Sequence, residues 1–200
     1  MMEKIDLLNE AQNADYVFIS VMGPHANESE SDILHRKYDD IKKAGESFWV
    51  SRIFEKFIEE SRNKLNGGLG YMVLVEGESV EDTKVSVPAT QYSEDKIDWK
   101  SIDDRISHVT GNLGKGATAY CFDDMELFED KETPINMNYS IDLNYYCEVD
   151  NPLEAIRFRQ GKTNVFAKKN ETKLEGGMKR SKRRIVAVLR LKHPYVVWVK

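Results

Sequence analysis

Apolar and polar positions change period several times along this chain. The cleanest pattern covers residues 137–149. There Met137, Tyr139, Ile141, Leu143, Tyr145, Cys147 and Val149 alternate with Asn138, Ser140, Asp142, Asn144, Tyr146 and Glu148. Unbroken period two predicts a long strand with one buried and one wet face, bent or bulged along its length. Residues 16–22 (YVFISVM) are β-branched and aromatic, and predict a strand that Gly23-Pro24 ends. Shorter strands are expected at 71–75, at 84–88 with Pro88 at its end, at 117–122 and at 163–167. Two more are expected at 185–192 and 195–199, divided by a break at His193-Pro194.

Helical spacing appears between these runs. Residues 3–14 carry Ile5, Leu7, Leu8, Ala11 and Ala14. Capping-type residues at 29–32 precede Ile33, Leu34, Tyr38 and Ile41, and Gly45 closes that helix. The clearest helix is expected to start at Ser47, with Val50, Ile53, Phe54, Phe57, Ile58 and Leu65 as its apolar stripe and Gly67-Gly68 as its stop. Ile97, Ile102, Ile106 and Val109 suggest another that Asp98 caps. Asn151-Pro152 opens a short one that Gly161 ends.

Strands and helices do not alternate strictly, which argues against a doubly wound sheet. The expected class is α+β: an antiparallel or mixed β-sheet with amphipathic helices packed mainly on one face. One domain over 1–200 is expected, and the only candidate seam is the glycine loop at 110–116.

Composition narrows the class further. Of 200 residues, 40% are hydrophobic and 32% charged, too apolar a mix for a disordered chain. The longest apolar runs are about five residues, against the roughly 20 of a membrane span, so no membrane partner is expected. The acidic start Met1-Met2-Glu3-Lys4-Ile5-Asp6 is unlike a secretory signal. Cys121 and Cys147 both fall in strand-like segments, and are expected to be buried free thiols of a cytoplasmic protein. No Cys/His spacing fits zinc, and no cofactor is expected.

Charge is the informative quantity. The net charge of -5 hides a division. Residues 156–200 hold 14 lysines and arginines against Glu171 and Glu175, a net of +12, and residues 1–155 carry a net of -17. Five cations, Lys179, Arg180, Lys182, Arg183 and Arg184, crowd into six residues after Gly176-Gly177. Arg157, Arg159, Lys162, Lys168, Lys169 and Lys173 lie in the same region. Such clusters bind phosphate because guanidinium forks match its oxygens and counterions are released. They also occur as solvated loops, or as patches paired with an acidic body. Tyr139, Tyr145 and Tyr146 are candidates for stacking on bases, although the odd-numbered ones suit a core.

Other constellations are weaker. Thr110-Gly111-Asn112-Leu113-Gly114-Lys115-Gly116 lacks the Lys-Ser/Thr pair and the strand–loop–helix order of a phosphate cradle. Asp123, Asp124, Glu126, Glu129 and Asp130 cluster, as do Asp39-Asp40 and Asp103-Asp104. Asp150 with Glu171 and Lys173 resembles the acid-any-lysine element of magnesium nucleases, a pattern that also recurs by chance. His25, His35, His108 and His193 have no catalytic context.

Three readings follow. In the first, a nonenzymatic module contacts nucleic acid, or a nucleoprotein complex, through Arg157, Arg159, Lys162, Lys168, Lys169, Lys179, Arg180, Lys182, Arg183 and Arg184. The second is a metal-dependent nuclease or phosphodiesterase using Asp123, Asp124, Asp150, Glu171 and Lys173. The third is a regulator or inhibitor whose acidic face meets a basic protein partner. No catalytic residue and no metal ligand is assigned in the first reading.

Overall fold

The computed structural model describes residues 6–14, 16–22, 28–51, 55–76, 87–107, 109–111, 117–128, 140–143, 164–168 and 181–200. Its elements are α1 (Leu7–Asn13), β1 (Tyr16–Met22), α2 (Glu30–Ala44), β2 (Ser47–Ser51), α3 (Glu55–Leu65), β3 (Gly70–Glu76), β4 (Val87–Pro88), β5 (Gln91–Ser93), β6 (Lys100–Ser101), β7 (Thr110–Gly111), β8 (Ala117–Leu127), β9 (Ser140–Leu143), β10 (Asn164–Lys168) and β11 (Ser181–Val199).

Nine strands form one sheet around β11. β11 pairs antiparallel with β3, β5, β8 and β9. β2 extends the sheet from β8. β1 joins β3 in the one parallel pair among the described strands, and β10 lies antiparallel beyond β1. β4 and β7 form a separate two-stranded ladder. A mostly antiparallel sheet with a few helices is the α+β class.

Local chemistry explains the helix ends. Ser29 caps α2, its hydroxyl accepting from the Asp32 N–H at 3.1 Å. Gly45 ends α2 at φ 79°, a left-handed conformation that favours glycine. Gly70 opens β3 where an added Cβ would lie 2.9 Å from Leu65 Cδ1, so the strand passes close beneath the end of α3.

Three sequence expectations are corrected. Ser47–Ser51 is strand, and the described helix is Glu55–Leu65. Phe48, Trp49 and Val50 suit a pleated surface, and pairing with Cys121, Tyr120 and Ala119 of β8 overrides the helical spacing. Residues 97–109 hold no helix among those described. Instead Asp95 Oδ1 accepts from the N–H groups of Ile97 (2.7 Å) and Asp98 (2.9 Å), closing a turn that leads into β6. Ile106 and Val109 are buried separately beneath the sheet residues Ala119, Val197 and Val199. The third correction is at the carboxyl end, where the strand already begins at Ser181 and runs to Val199, while the expected break at His193-Pro194 survives as a register shift against β8 between Leu191 and Val196. The expected strand at 137–149 is seen only as Ser140–Leu143, and the helix at 151–161 lies outside the described residues.

The core has three clusters. In the largest, Leu34 of α2 and Ile58 and Leu65 of α3 pack with Phe18, Met72, Leu74, Tyr120, Phe122 and Leu189. Leu7 and Ala11 of α1 meet Tyr71, Val73, Ile185 and Val188. Phe48, Ala119, Cys121, Val197 and Val199 form the third.

Arg62 ties α3 to this sheet. Its Nη2 donates to the Val196 carbonyl (2.5 Å), and both terminal nitrogens donate to the Glu94 carbonyl at 3.1 Å. The guanidinium also sits 5.7 Å from the Trp198 ring centroid. Arg62→Met is expected to lower stability by about 2–3 kcal/mol, because a charged hydrogen bond to a part-buried carbonyl is lost. A urea midpoint shift with unchanged m measures it, and an unchanged midpoint contradicts the clamp.

Candidate nucleic-acid interface

Of the ten cations assigned to the interface, Arg157, Arg159, Lys162, Lys169, Lys179 and Arg180 lie outside the described residues. Lys182, Arg183 and Arg184 open β11, paired with Asp142, Ile141 and Ser140 of β9. Among the described residues, positions 181–184 pair with β9 alone, because the β3 and β8 ladders begin at Ile185 and Ala187. Among the described residues this end of β11 is therefore a two-stranded ribbon, one strand of which holds three successive cations.

Lys168 is placed elsewhere. It ends β10 opposite Tyr16 of β1. The ladders carry that level across the sheet to Gly70 and Leu191, whereas Arg184 lies beyond the Val75–Ile185 pair. At about 3.3 Å per residue and 4.8 Å between strands, Lys168 and Arg184 stand about 20 Å apart along the strands and about 14 Å across them. The register thus groups Lys182, Arg183 and Arg184 and separates Lys168 from them.

Later cations of β11 are matched by acids of the same molecule. Arg190 Nε donates to Asp123 Oδ1 at 3.0 Å, and its Nη1 lies 3.6 Å from Asp124 Oδ2. A register shift beside Arg190 brings these neighbouring acids to one guanidinium. Lys192 Nζ donates to Glu46 Oε2 at 2.5 Å, which raises the ammonium's pKa above its ordinary value. Lys200 Nζ sits 3.9 Å from the Trp99 ring centroid. Part of the charge division is therefore an internal seam.

The acidic pairs have structural tasks. Asp103 binds Arg105, chiefly through the Arg105 side chain, and its carboxyl falls to about 2. Glu126 accepts from the Leu8 N–H at 3.1 Å. Among the described residues, no three His, Cys, Asp or Glu side chains are grouped to hold a metal ion. Asp150, Glu171 and Lys173 lie outside them. So do the glycine-loop residues 112–116, while Thr110–Gly111 is β7. Cys121 is a buried free thiol, pushed up by burial, and Cys147 lies outside the described residues. No described helix is long and apolar enough to cross a membrane.

The sequence reading missed a buried charge cluster. Lys37 and Asp40 of α2 are 4% and 2% exposed, with Nζ 3.8 Å from Asp40 Oδ2. Asp40 accepts from the Ser47 hydroxyl (2.7 Å), the Ser107 N–H (2.7 Å) and the Ser107 hydroxyl (2.8 Å). Arg36 donates bidentately to Glu28 and also to the Ser107 hydroxyl. Among the described residues Lys37 Nζ has no hydrogen-bond partner. Burial, helped by Arg36, pushes it down to about 7 against the pull of Asp40 and Glu28. One signal was available: Lys37 falls on the stripe of Ile33, Leu34 and Ile41.

No protein-family model, curated protein or solved structure matches this chain.

Proposed function

We propose that this chain is a nonenzymatic module that binds nucleic acid, or a nucleoprotein complex, through its basic segment 156–200. The observation that carries this reading is the +12 against -17 division of charge, with Lys182, Arg183 and Arg184 entering the β9–β11 ribbon. A two-stranded ribbon fits the major groove. The register places one acid, Asp142, opposite these three cations. The acidic remainder limits nonspecific binding, or docks a basic protein. We place the module in the cytoplasm, a reading supported by the buried free thiol of Cys121. We also read its helices as covering mainly one face, since α2 and α3 share the cluster of Met72 and Leu74 while only the short α1 meets Tyr71 and Val73.

Binding of RNA and DNA measured across salt concentrations tests the function. Neutralising about five phosphates gives a log–log slope near -4. Alanine at Lys182, Arg183 and Arg184 together is expected to flatten that slope by about 2–3 and weaken low-salt binding more than tenfold. A flat salt response, or no binding at low salt, overturns the reading.

A further inference from the structure

We propose that a cavity at the break in β11 receives one base of a single strand, with Tyr92 as its stacking surface, an inference that rests on the nucleic-acid reading above. The cavity arises from the register. β11 pairs with β8 at Leu191↔Phe122 and resumes at Val196↔Tyr120. Residues 192–195 therefore stand against Cys121 alone, and the two backbones part. Tyr195 takes a left-handed φ of 67°, uncommon outside glycine, and is held there with its hydroxyl donating to the Gly68 carbonyl. The space left open is about 260 Å³. Drug-sized sites begin near 300 Å³, so this one suits a single ring system.

Its walls supply what a nucleotide needs. Tyr92 lines the cavity and is braced by Phe48, with ring centroids 5.2 Å apart. An aromatic face held in this way stacks on any base. Glu46 and Glu94 bring carboxylates, and Lys100, Lys192 and His193 bring nitrogen donors. Glu46 and Lys192 bind each other, which leaves Glu94 and Lys100, both exposed on the β5–β6 hairpin, as the groups for the ligand. A carboxylate accepts from the exocyclic amine of cytosine, adenine or guanine, whereas uracil offers it a single ring N–H flanked by two repelling carbonyl oxygens. Lys100 takes the phosphate as a point charge. The cavity thus selects a base bearing an amino group.

The test titrates CMP, AMP, GMP and UMP separately into the full chain at millimolar concentration, with amide NMR shifts of Lys192, His193 and Tyr195 as the site-specific readout. The three amino-bearing nucleotides are expected to bind more tightly than UMP. Tyr92→Ala is expected to weaken binding about tenfold or more, and Tyr92→Phe to restore it. Glu94→Gln is expected to narrow the CMP-to-UMP difference. Failure of all four nucleotides to shift these amides overturns the proposal, as does unchanged CMP affinity in both Tyr92→Ala and Lys100→Ala. Salt-dependent strand binding that persists alongside either result leaves the ribbon reading standing and removes only the cavity. Loss of both binding activities in the folded chain removes both.

Discussion

Asp40→Ala is expected to lower the unfolding free energy by about 3–5 kcal/mol, since removing one partner of a buried ion pair leaves the other charge uncompensated. Among the described residues Asp40 is the one anion within ion-pair distance of the buried Lys37 Nζ. It also joins three parts of the chain: α2, Ser47 at the start of β2, and Ser107 after β6. Alanine leaves the buried Ser47 hydroxyl and the part-buried Ser107 hydroxyl and N–H without that acceptor, each worth about 1 kcal/mol. Urea unfolding with m and midpoint fitted together measures the loss. Ser47→Ala is the comparison and is expected to lose only about 1 kcal/mol. Equal losses in the two variants would mean that the buried ammonium does not depend on Asp40.

The same residues show why some of the fold was legible in the sequence and some was not. β1 was expected at 16–22 and is Tyr16–Met22, because a β-branched run closed by Gly-Pro decides its own state. α2 was equally readable from Ser29 and Gly45, whose side chain and left-handed φ act within one turn of the chain. Ser47–Ser51 was misread because its partner β8 lies some 70 residues away, and local spacing carries no trace of that ladder. Residues 97–109 misled in the same way: apolar residues three to five apart mimic a helix face, while Asp95 directs a turn.

The site divides along the same line. Composition exposed the run at Lys182, Arg183 and Arg184, because charge density is a local property. It did not show that Lys168 sits at the far end of the sheet, or that Arg190 and Lys192 meet Asp123 and Glu46. Those are consequences of pairing register, as is the cavity at residues 192–195.

Lys37→Met is expected to stabilise the protein at pH 6 by on the order of 2–4 kcal/mol, and the gain is expected to vanish as pH approaches 10. The sign follows from linkage. The folded amine titrates near 7 because burial, then Arg36, opposes its charge, whereas the unfolded amine titrates at 10.5. Between those values the unfolded chain binds the extra proton, so wild-type stability rises with pH there, by up to about 1.4 kcal/mol per pH unit. Below about 7 both states are charged and the full desolvation penalty remains. Methionine matches the length of the lysine stem, needs no hydrogen bond, and leaves Asp40 its three neutral donors. The attraction to Asp40 is already contained in the folded value near 7, so the net shift sets the upper bound of the gain. Denaturant midpoints of both proteins at pH 6, 8 and 10 form the measurement. A variant that is less stable at pH 6, or a difference that does not change with pH, would mean that Lys37 is charged and well compensated inside the fold.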